Sequence, residues 1–161
     1  MFKLTSAKQQ NLSDMKTIFD KTTSDELVRR IGLLNEDSKA LWGKMTPYQM
    51  IKHCTLWEEM LVGEKTYKRM FLGRLIGKPI LKRIIQDDKP MRHNAQTVPG
   101  FSVTENGDVE TEKNKWIARV KEHARFSNVN FIHPFFGKMT KEQIGLLVYK
   151  HIDHHLRQFN C

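Results

Sequence analysis

One short sequence occurs twice in this chain, as Gly43-Lys-Met-Thr-Pro-Tyr-Gln-Met and as Gly137-Lys-Met-Thr-Lys-Glu-Gln-Ile. In each copy a Gln follows a Thr by three residues, which is the pattern of a capping box at the start of a helix. Thr46 and Thr140 are therefore predicted to cap two helices. Capping does not require the Gly-Lys-Met tripeptide, so two origins of the repeat stay open: a common helix start used twice, or an ancestral duplication of a helix pair.

Apolar residues recur every three or four positions through most of the chain, as they do on the buried face of a helix. With further caps expected at Thr23 and Asp108, this period predicts four helices, over residues 23–35, 46–63, 109–126 and 140–158. Strand signals are nearly absent. The sequence therefore predicts an all-α fold, an antiparallel up-down-up-down four-helix bundle with an extra helical segment in its middle connection.

The middle connection, residues 64–107, is predicted to be a crossover with short helices and a loop. Residues 64–88 combine basic and apolar side chains, and the central Gly77 and Pro79 predict two short helices that meet at a kink. Their apolar face is too long to stay in water, so it should cover one end of the bundle or contribute to a dimer contact. The loop that follows contains Asn106-Gly107, a pair that can form a small hairpin.

The chain has 161 residues, with 27 Lys plus Arg against 18 Asp plus Glu, which gives a formal net charge of +9. The length fits one domain, 1–161, that begins with an irregular arm over residues 1–22 and one helical turn near residues 15–19. No apolar run approaches the roughly 20 residues that cross a bilayer. The first ten residues lack the apolar core of a secretion signal, and two cysteines make no disulfide framework, so the cytoplasm is the expected compartment.

The positive charge of the chain fits either a solvated basic surface or an anionic partner. The most regular basic face follows four-residue steps through Arg74, Lys78 and Lys82. Nucleic acid is not an expected partner, because no exposed aromatic residues are interleaved with these basic residues for stacking on bases.

Three of the seven histidines replace apolar residues on the inner stripes of the predicted helices. His53 lies seven residues after its capping Thr, and His151 and His155 lie eleven and fifteen residues after theirs. Because a step of four residues turns a helix by only about 40°, all three occupy the same face relative to their caps. Neutral imidazoles buried together need partners, and one metal ion satisfies all three rings at once.

The last helix carries its two histidines at the H-x-x-x-H spacing that places two nitrogens on one ion in zinc proteases. His53 from a neighbouring helix completes a three-His site with open positions. His154 is the alternative to His155 as a metal ligand on this helix, but the apolar stripe of the helix places His154 at the rim of the site. Three more residues are candidates for lining the pocket or for contacting the ligands: Gln49, Trp57 and Gln158. The capping box explains Gln49 better than a role in the pocket does.

The sequence has no nucleophile elbow, P-loop, dinucleotide-binding fingerprint or CxxC motif. Glu58 and Glu59 point away from the face of His53, and Asp153 lies on the back of its helix. A carboxylate general base is therefore not predicted, and a metal ion would have to supply any chemistry. The other histidines fall in loops or on a polar face, where no partner can be assigned; they are His93, His123 and His133, the last within a loop predicted over residues 128–137.

Two stretches of the chain resemble the DinB/YfiT-like superfamily, closest to one of its subgroups of unknown function: Trp42-Gly-Lys-Met-Thr-x-x-Gln-Met-x-x-His53 and the ending Tyr149-Lys-His-Ile-Asp-His-His-Leu-Arg-Gln-Phe. The resemblance covers roughly residue 20 to the end. It implies a four-helix bundle, frequent homodimers, and a three-His metal site in a cleft whose ligands map onto His53, His151 and His155. Characterised members of that superfamily include metal-dependent transferases and isomerases that use low-molecular-weight thiols.

On these grounds the chain is expected to be a metal-dependent enzyme, a thiol-dependent transferase or a hydrolase, with a small-molecule substrate such as a low-molecular-weight thiol. Zinc or nickel is the first expectation for the metal, with iron, cobalt and manganese as alternatives. One competing hypothesis is a non-catalytic helical bundle that binds a small ligand or a partner, with a vestigial or structural histidine cluster. The other is a protein that binds anionic surfaces through its basic residues.

Overall fold

The computed structural model describes residues 15–94, 98–128 and 130–161. These residues form five α-helices, two 3₁₀ turns and two short strands, so the prediction of a mostly helical chain is confirmed. The helices are α1 (Lys21–Ile31), α2 (Pro47–Val62), α3 (Phe71–Ile84), α4 (Val109–Glu122) and α5 (Lys141–Gln158). The 3₁₀ turns cover Pro99–Phe101 and His123–Arg125, and strand β1 (Ile132–His133) pairs with β2 (Gly137–Lys138) in antiparallel register.

One hydrophobic core is shared by α1, α2, α4 and α5. Helix α4 lies along α2 and also packs against α1, while α1 contacts α5. Each helix contributes a side chain that solvent does not reach, namely Leu27, Met50, Trp116 and Leu156. Burial of a large apolar side chain stabilises a fold by about 1.5–3 kcal/mol, so this shared core holds the helices in place.

Both copies of the repeated sequence start helices with complete capping boxes. The hydroxyl of Thr46 accepts a hydrogen bond from the Gln49 backbone N–H, and the Gln49 side chain accepts one from the Thr46 N–H. Thr140 and Gln143 make the same two bonds at the start of α5. Asp108 caps α4 as predicted. At each of these helix starts the cap gives a local partner to one backbone N–H of the first turn, which has no partner within the helix.

The first helix begins earlier than the sequence pattern predicts. Asp20, not Thr23, is the N-cap of α1, and its carboxylate accepts hydrogen bonds from both the backbone N–H and the hydroxyl of Thr23. The prediction of a Thr23 cap is therefore wrong, because Asp caps a helix at least as well as Thr and comes three residues earlier. Helix α1 also ends at Ile31, with Gly32 as its C-cap, and not at residue 35.

Segment 64–88 contains one continuous helix, so the prediction of two short helices with a kink is wrong. Pro79 lies inside α3 and cannot donate to the carbonyl of Leu75, one turn earlier. Leu75 is 65% exposed, so water can reach that carbonyl and the missing bond costs little. Only part of the apolar face is covered: Phe71 and Leu75 are exposed, and Leu72 and Ile76 are also exposed where they border a cavity.

Other irregular segments also differ from the sequence predictions. The predicted loop over residues 128–137 contains β1 and the first residue of β2, and no strand forms around Asn106-Gly107. Residues 15–19 form no helix, although the Asp20 N–H bonds to the Thr17 carbonyl in a single turn, and residues 21–22 of the predicted arm already belong to α1. The rest of that arm, residues 1–14, lies outside the described residues. None of the described helices is long and apolar enough to cross a membrane.

Candidate metal centre

The three histidines chosen from the sequence meet between α2 and α5. Each offers one ring nitrogen, and these nitrogens lie within 4.8 Å of one another. The Nε2 atoms of His53 and His151 are 3.1 Å apart. The ring of His155 completes the group, with its centroid 4.9 Å from that of His53 and 4.7 Å from that of His151. Each histidine lies on the same face of its helix relative to the capping Thr, and the packing of the helices brings these faces together.

Hydrogen bonds fix the proton position on two of the three rings. The Phe101 carbonyl can only accept, so His53 donates from Nδ1 across 2.9 Å and keeps a lone pair on Nε2. His155 donates from Nδ1 to Oε1 of Gln158 across 3.0 Å. The amide of Gln158 is oriented in turn by its own donation to the Trp42 carbonyl, 2.8 Å away. Such partners behind the ring hold a histidine in the tautomer that binds metal.

Burial keeps these imidazoles neutral. Burial first, and then the nearby His53, lower the pKa of His155 to about 3, against the opposing effect of the bond to Gln158. The pKa of His151 falls well below its usual value because of burial and then because of His155 and His53. Burial also lowers the pKa of His53. Near neutral pH all three rings are therefore in the unprotonated state that ligates a cation.

The arrangement fits a single divalent ion. Two imidazole nitrogens at roughly 2.0–2.1 Å from one ion lie about 2.8–3.0 Å apart in octahedral geometry and about 3.3–3.4 Å apart in tetrahedral geometry. The 3.1 Å between the Nε2 atoms of His53 and His151 lies between these values, and the nitrogen that His155 offers lies within 4.8 Å of both. Three neutral nitrogens with two fixed tautomers can therefore hold a metal ion and leave positions open for a ligand.

The other residues predicted near the site fall into two groups. Trp57 stacks on His151 at 5.2 Å between centroids, and Gln158 supports His155 from behind. Gln49 is absent from the site: it completes its capping box and donates to the Thr104 carbonyl. His154 lies outside the group of three nitrogens and borders the cavity beside Trp42, 5.7 Å between ring centroids.

A cavity of about 660 Å³ opens beside the three histidines. One wall is a row of aliphatic side chains from α3, spaced four residues apart: Leu72, Ile76, Ile80 and Ile84. Among the described residues, no Asp or Glu lines the cavity. The site therefore combines neutral nitrogen ligands with an apolar wall, and the part of the chain that the structure describes places no carboxylate there to act as a general base.

Residues 14–161 match the model of a family described as "Protein of unknown function (DUF1569)". The chain belongs to this DUF1569 family. The matched span includes every helix and strand of the structure and all three clustered histidines. Comparisons with curated proteins and with solved structures find no match. The family description carries no activity, so the chemistry of the DUF1569 site has to be argued from its geometry.

Two buried histidines of this DUF1569 chain have partners that the sequence did not reveal. His123 lies 2.7 Å from the carboxylate of Glu58, and both side chains are almost fully buried. His133 borders the cavity, and its Nδ1 accepts hydrogen bonds from the backbone N–H groups of Phe135 and Phe136. Neither contact follows a helical period. The only local signal at His133 is the following Pro134, which favours extended backbone for the residue before it.

Proposed function

We propose that this protein is a metal-dependent enzyme that binds one divalent ion through His53, His151 and His155 and acts on a small molecule in the adjoining cavity. The observation that carries the proposal is the convergence of three neutral ring nitrogens at the wall of that cavity. A structural histidine cluster does not need a cavity beside it. Small-molecule sites, in contrast, are apolar cavities with a few convergent polar groups.

The role of each residue follows from its contacts. His53 and His155 present Nε2 lone pairs because Phe101 and Gln158 hold their Nδ1 protons. Trp57 covers one face of His151, and the aliphatic row of α3 gives the cavity an apolar wall. When bound, the ion would supply Lewis-acid polarisation of a ligand donor atom. Since no described carboxylate lines the cavity, proton transfer would depend on the ligand or on a histidine.

The proposal includes membership of the DinB/YfiT-like superfamily, with its antiparallel four-helix bundle and its homodimers. Support comes from the order of the ligands along the chain: one histidine on α2 and two, four residues apart, on α5. Under this assignment the reaction is thiol-dependent transfer or hydrolysis. Zinc or nickel is the metal that we propose first, followed by iron, cobalt and manganese, since three imidazoles suit all of these ions.

The experiment that tests the metal site is elemental analysis of protein purified without a metal-binding tag. We expect close to one divalent ion per chain, lost on treatment with a chelator and recovered on addition of zinc or nickel. Calorimetric titration of the stripped protein should give one site. Stripped, folded protein that takes up none of the five metals would refute the proposal.

A non-catalytic ligand-binding protein is the second candidate, and the absence of a carboxylate from the described cavity lining favours it. The two functions separate once the metal is loaded. An enzyme should turn over thiol-containing or ester substrates, and this activity should disappear on chelation. A binding protein should hold a ligand tightly in the metal-loaded state without changing it, as mass spectrometry of the recovered ligand would show.

A further inference from the structure

His133 presents an unused hydrogen-bond donor at the cavity. The side chain is only 3% exposed, and its Nδ1 accepts from the Phe135 and Phe136 backbone N–H groups at 3.1 Å each. A backbone N–H can only donate, so Nδ1 carries a lone pair and the proton of the neutral ring sits on Nε2. Within the described part of the chain, Nε2 has no hydrogen-bond partner. The ring borders the cavity, so the free N–H is available to a ligand there.

The ring of His133 stays neutral and keeps its proton on Nε2. Protonation of Nδ1 would break both bonds to the turn, and it would also place a charge near Arg69, whose guanidinium binds the carbonyls of His133, Pro134 and Phe135. Burial and the Arg69 charge lower the pKa of His133 to about 3. The ring is therefore a neutral N–H donor with one fixed tautomer. A buried polar group without a partner is costly, so a ligand acceptor that pairs with this N–H gains affinity.

The rest of the cavity restricts what such a ligand can be. Its α3 wall is aliphatic, and no acidic residue of the described chain lines it, whereas Lys44 stands at its edge. Positive charge and a free donor favour an anionic oxygen acceptor. The aliphatic row favours a ligand with an apolar body, since burial of each CH₂ group removes apolar surface from water.

We propose that the cavity binds an apolar carboxylic acid, with a carboxylate oxygen on the His133 Nε2–H and the hydrocarbon chain along the aliphatic row of α3. This proposal rests on the proposed function, because it names the substrate class of the same cavity. The carboxylate contact itself uses only His133, so it forms in protein from which metal has been removed.

The test is a titration of metal-stripped protein with decanoate, followed by the fluorescence of Trp57 and Trp42, which both border the cavity. We expect saturable binding of decanoate and weaker binding of decyl alcohol, which has no anionic oxygen. Because metal is absent, the result does not depend on whether the three-histidine site is real. If stripped protein binds no metal but still binds decanoate, the proposed enzyme function is refuted and the carboxylate site stands.

A matched variant isolates the donor. His133→Asn keeps an acceptor oxygen for the two backbone N–H groups of the turn and removes the Nε2–H. We expect decanoate to bind about tenfold more weakly or worse, as for loss of a hydrogen bond to a charged group. Wild-type affinity in a folded His133→Asn variant would overturn the proposal. So would decanoate binding that appears only after metal is added, since the metal and not His133 would then hold the carboxylate.

A second pair of variants tests the wall independently of the turn. Ile76 lines the cavity, whereas its neighbour Leu75 is exposed on the outer side of α3. Ile76→Asp should abolish decanoate binding through charge repulsion and loss of apolar contact, and Leu75→Asp should leave it unchanged. Equal loss in both variants would show that decanoate binds the outer surface of α3, which would also overturn the proposal.

Discussion

The helix pair α2 and α5 differs from the region formed by α3 and the β1–β2 hairpin in what holds each together. The pair starts from two copies of one capping sequence and presents its histidines at regular helical spacing. In the other region, α3 meets the hairpin through backbone contact: a Cβ added to Gly73 or Gly77 would lie 2.4 or 2.3 Å from the Phe135 carbonyl oxygen. The two regions face each other across one cavity.

This difference separates two parts of the site. Metal ligands need fixed directions, and regular helices provide them because every fourth residue repeats nearly the same orientation. The ligand-binding wall needs a shape that matches one compound, and loops and covering helices change shape without disturbing the core. The comparison therefore predicts that substitutions of the histidines on α2 or α5 abolish metal binding. Substitutions in α3 or the hairpin should instead change ligand binding and stability.

The largest effect is expected on removal of a ligand from the helix pair. Alanine at His53, His151 or His155 should weaken zinc or nickel binding by more than about 100-fold, because even groups behind metal ligands are worth about 10–100-fold. Calorimetric titration of stripped protein measures this. Gln158→Ala should weaken metal binding by about 10–100-fold, because it removes the hydrogen bond that orients the ring of His155.

His154→Ala is the matched control for these variants, because His154 is adjacent in sequence but lies outside the three-nitrogen group. Its metal affinity should equal that of the wild type. Equal metal loss from His154→Ala would mean that the other register of α5 provides the ligand.

Acid should lower the free energy of unfolding through protonation of His133, which lies in the β1–β2 hairpin. The folded-state pKa of His133 is about 3, below its ordinary value of 6.5, so the folded protein binds fewer protons than the unfolded chain between those values. This contribution to stability is complete above about pH 6.5 and falls by about 1.4 kcal/mol per pH unit as the pH drops toward 3. Urea unfolding of metal-stripped protein near pH 6 and near pH 5 measures this loss of stability. In the His133→Asn variant the free energy of unfolding should change less steeply with pH. The same pH dependence of stability in the wild type and in His133→Asn would contradict the assignment of this loss to His133.

Packing at the glycine contact should have a smaller effect. Gly73→Ala and Gly77→Ala both push a methyl group into the Phe135 backbone, and overpacking of this kind costs about 1–3 kcal/mol. Chemical denaturation measures the loss. Gly32→Ala is the control, because Gly32 is exposed at a helix end with an ordinary right-handed backbone. A Gly77→Ala variant as stable as Gly32→Ala would show that α3 is not held by this contact.

The smallest effect is expected at the repeated caps. Thr46→Ala and Thr140→Ala should each lower the free energy of unfolding by about 0.5–2 kcal/mol, since each removes the acceptor for one backbone N–H. Exposed Thr66 lies outside the helices and serves as the control. Similar losses at both caps would support two equivalent helix starts, whereas a loss at only one would show that tertiary contacts replace the missing cap.

The parts of the fold predicted from sequence are those that rest on contacts between near neighbours. The caps at Thr46, Asp108 and Thr140 each involve residues three positions apart. The choice of His155 over His154 followed from the apolar stripe of the same helix. The cap of α1 was missed because Asp20 and Thr23 are both good capping residues, and local pattern does not rank them.

The sequence by itself determined the helical class, the two equivalent helix starts and the face on which the three histidines lie, because capping and helical period are local properties. Only the tertiary structure decided that α3 runs straight through Pro79, that its aliphatic row borders the histidines, and that His133 turns a free N–H toward the same cavity. Those features depend on close approach between segments about 60 residues apart, α3 and the hairpin, which no local pattern encodes.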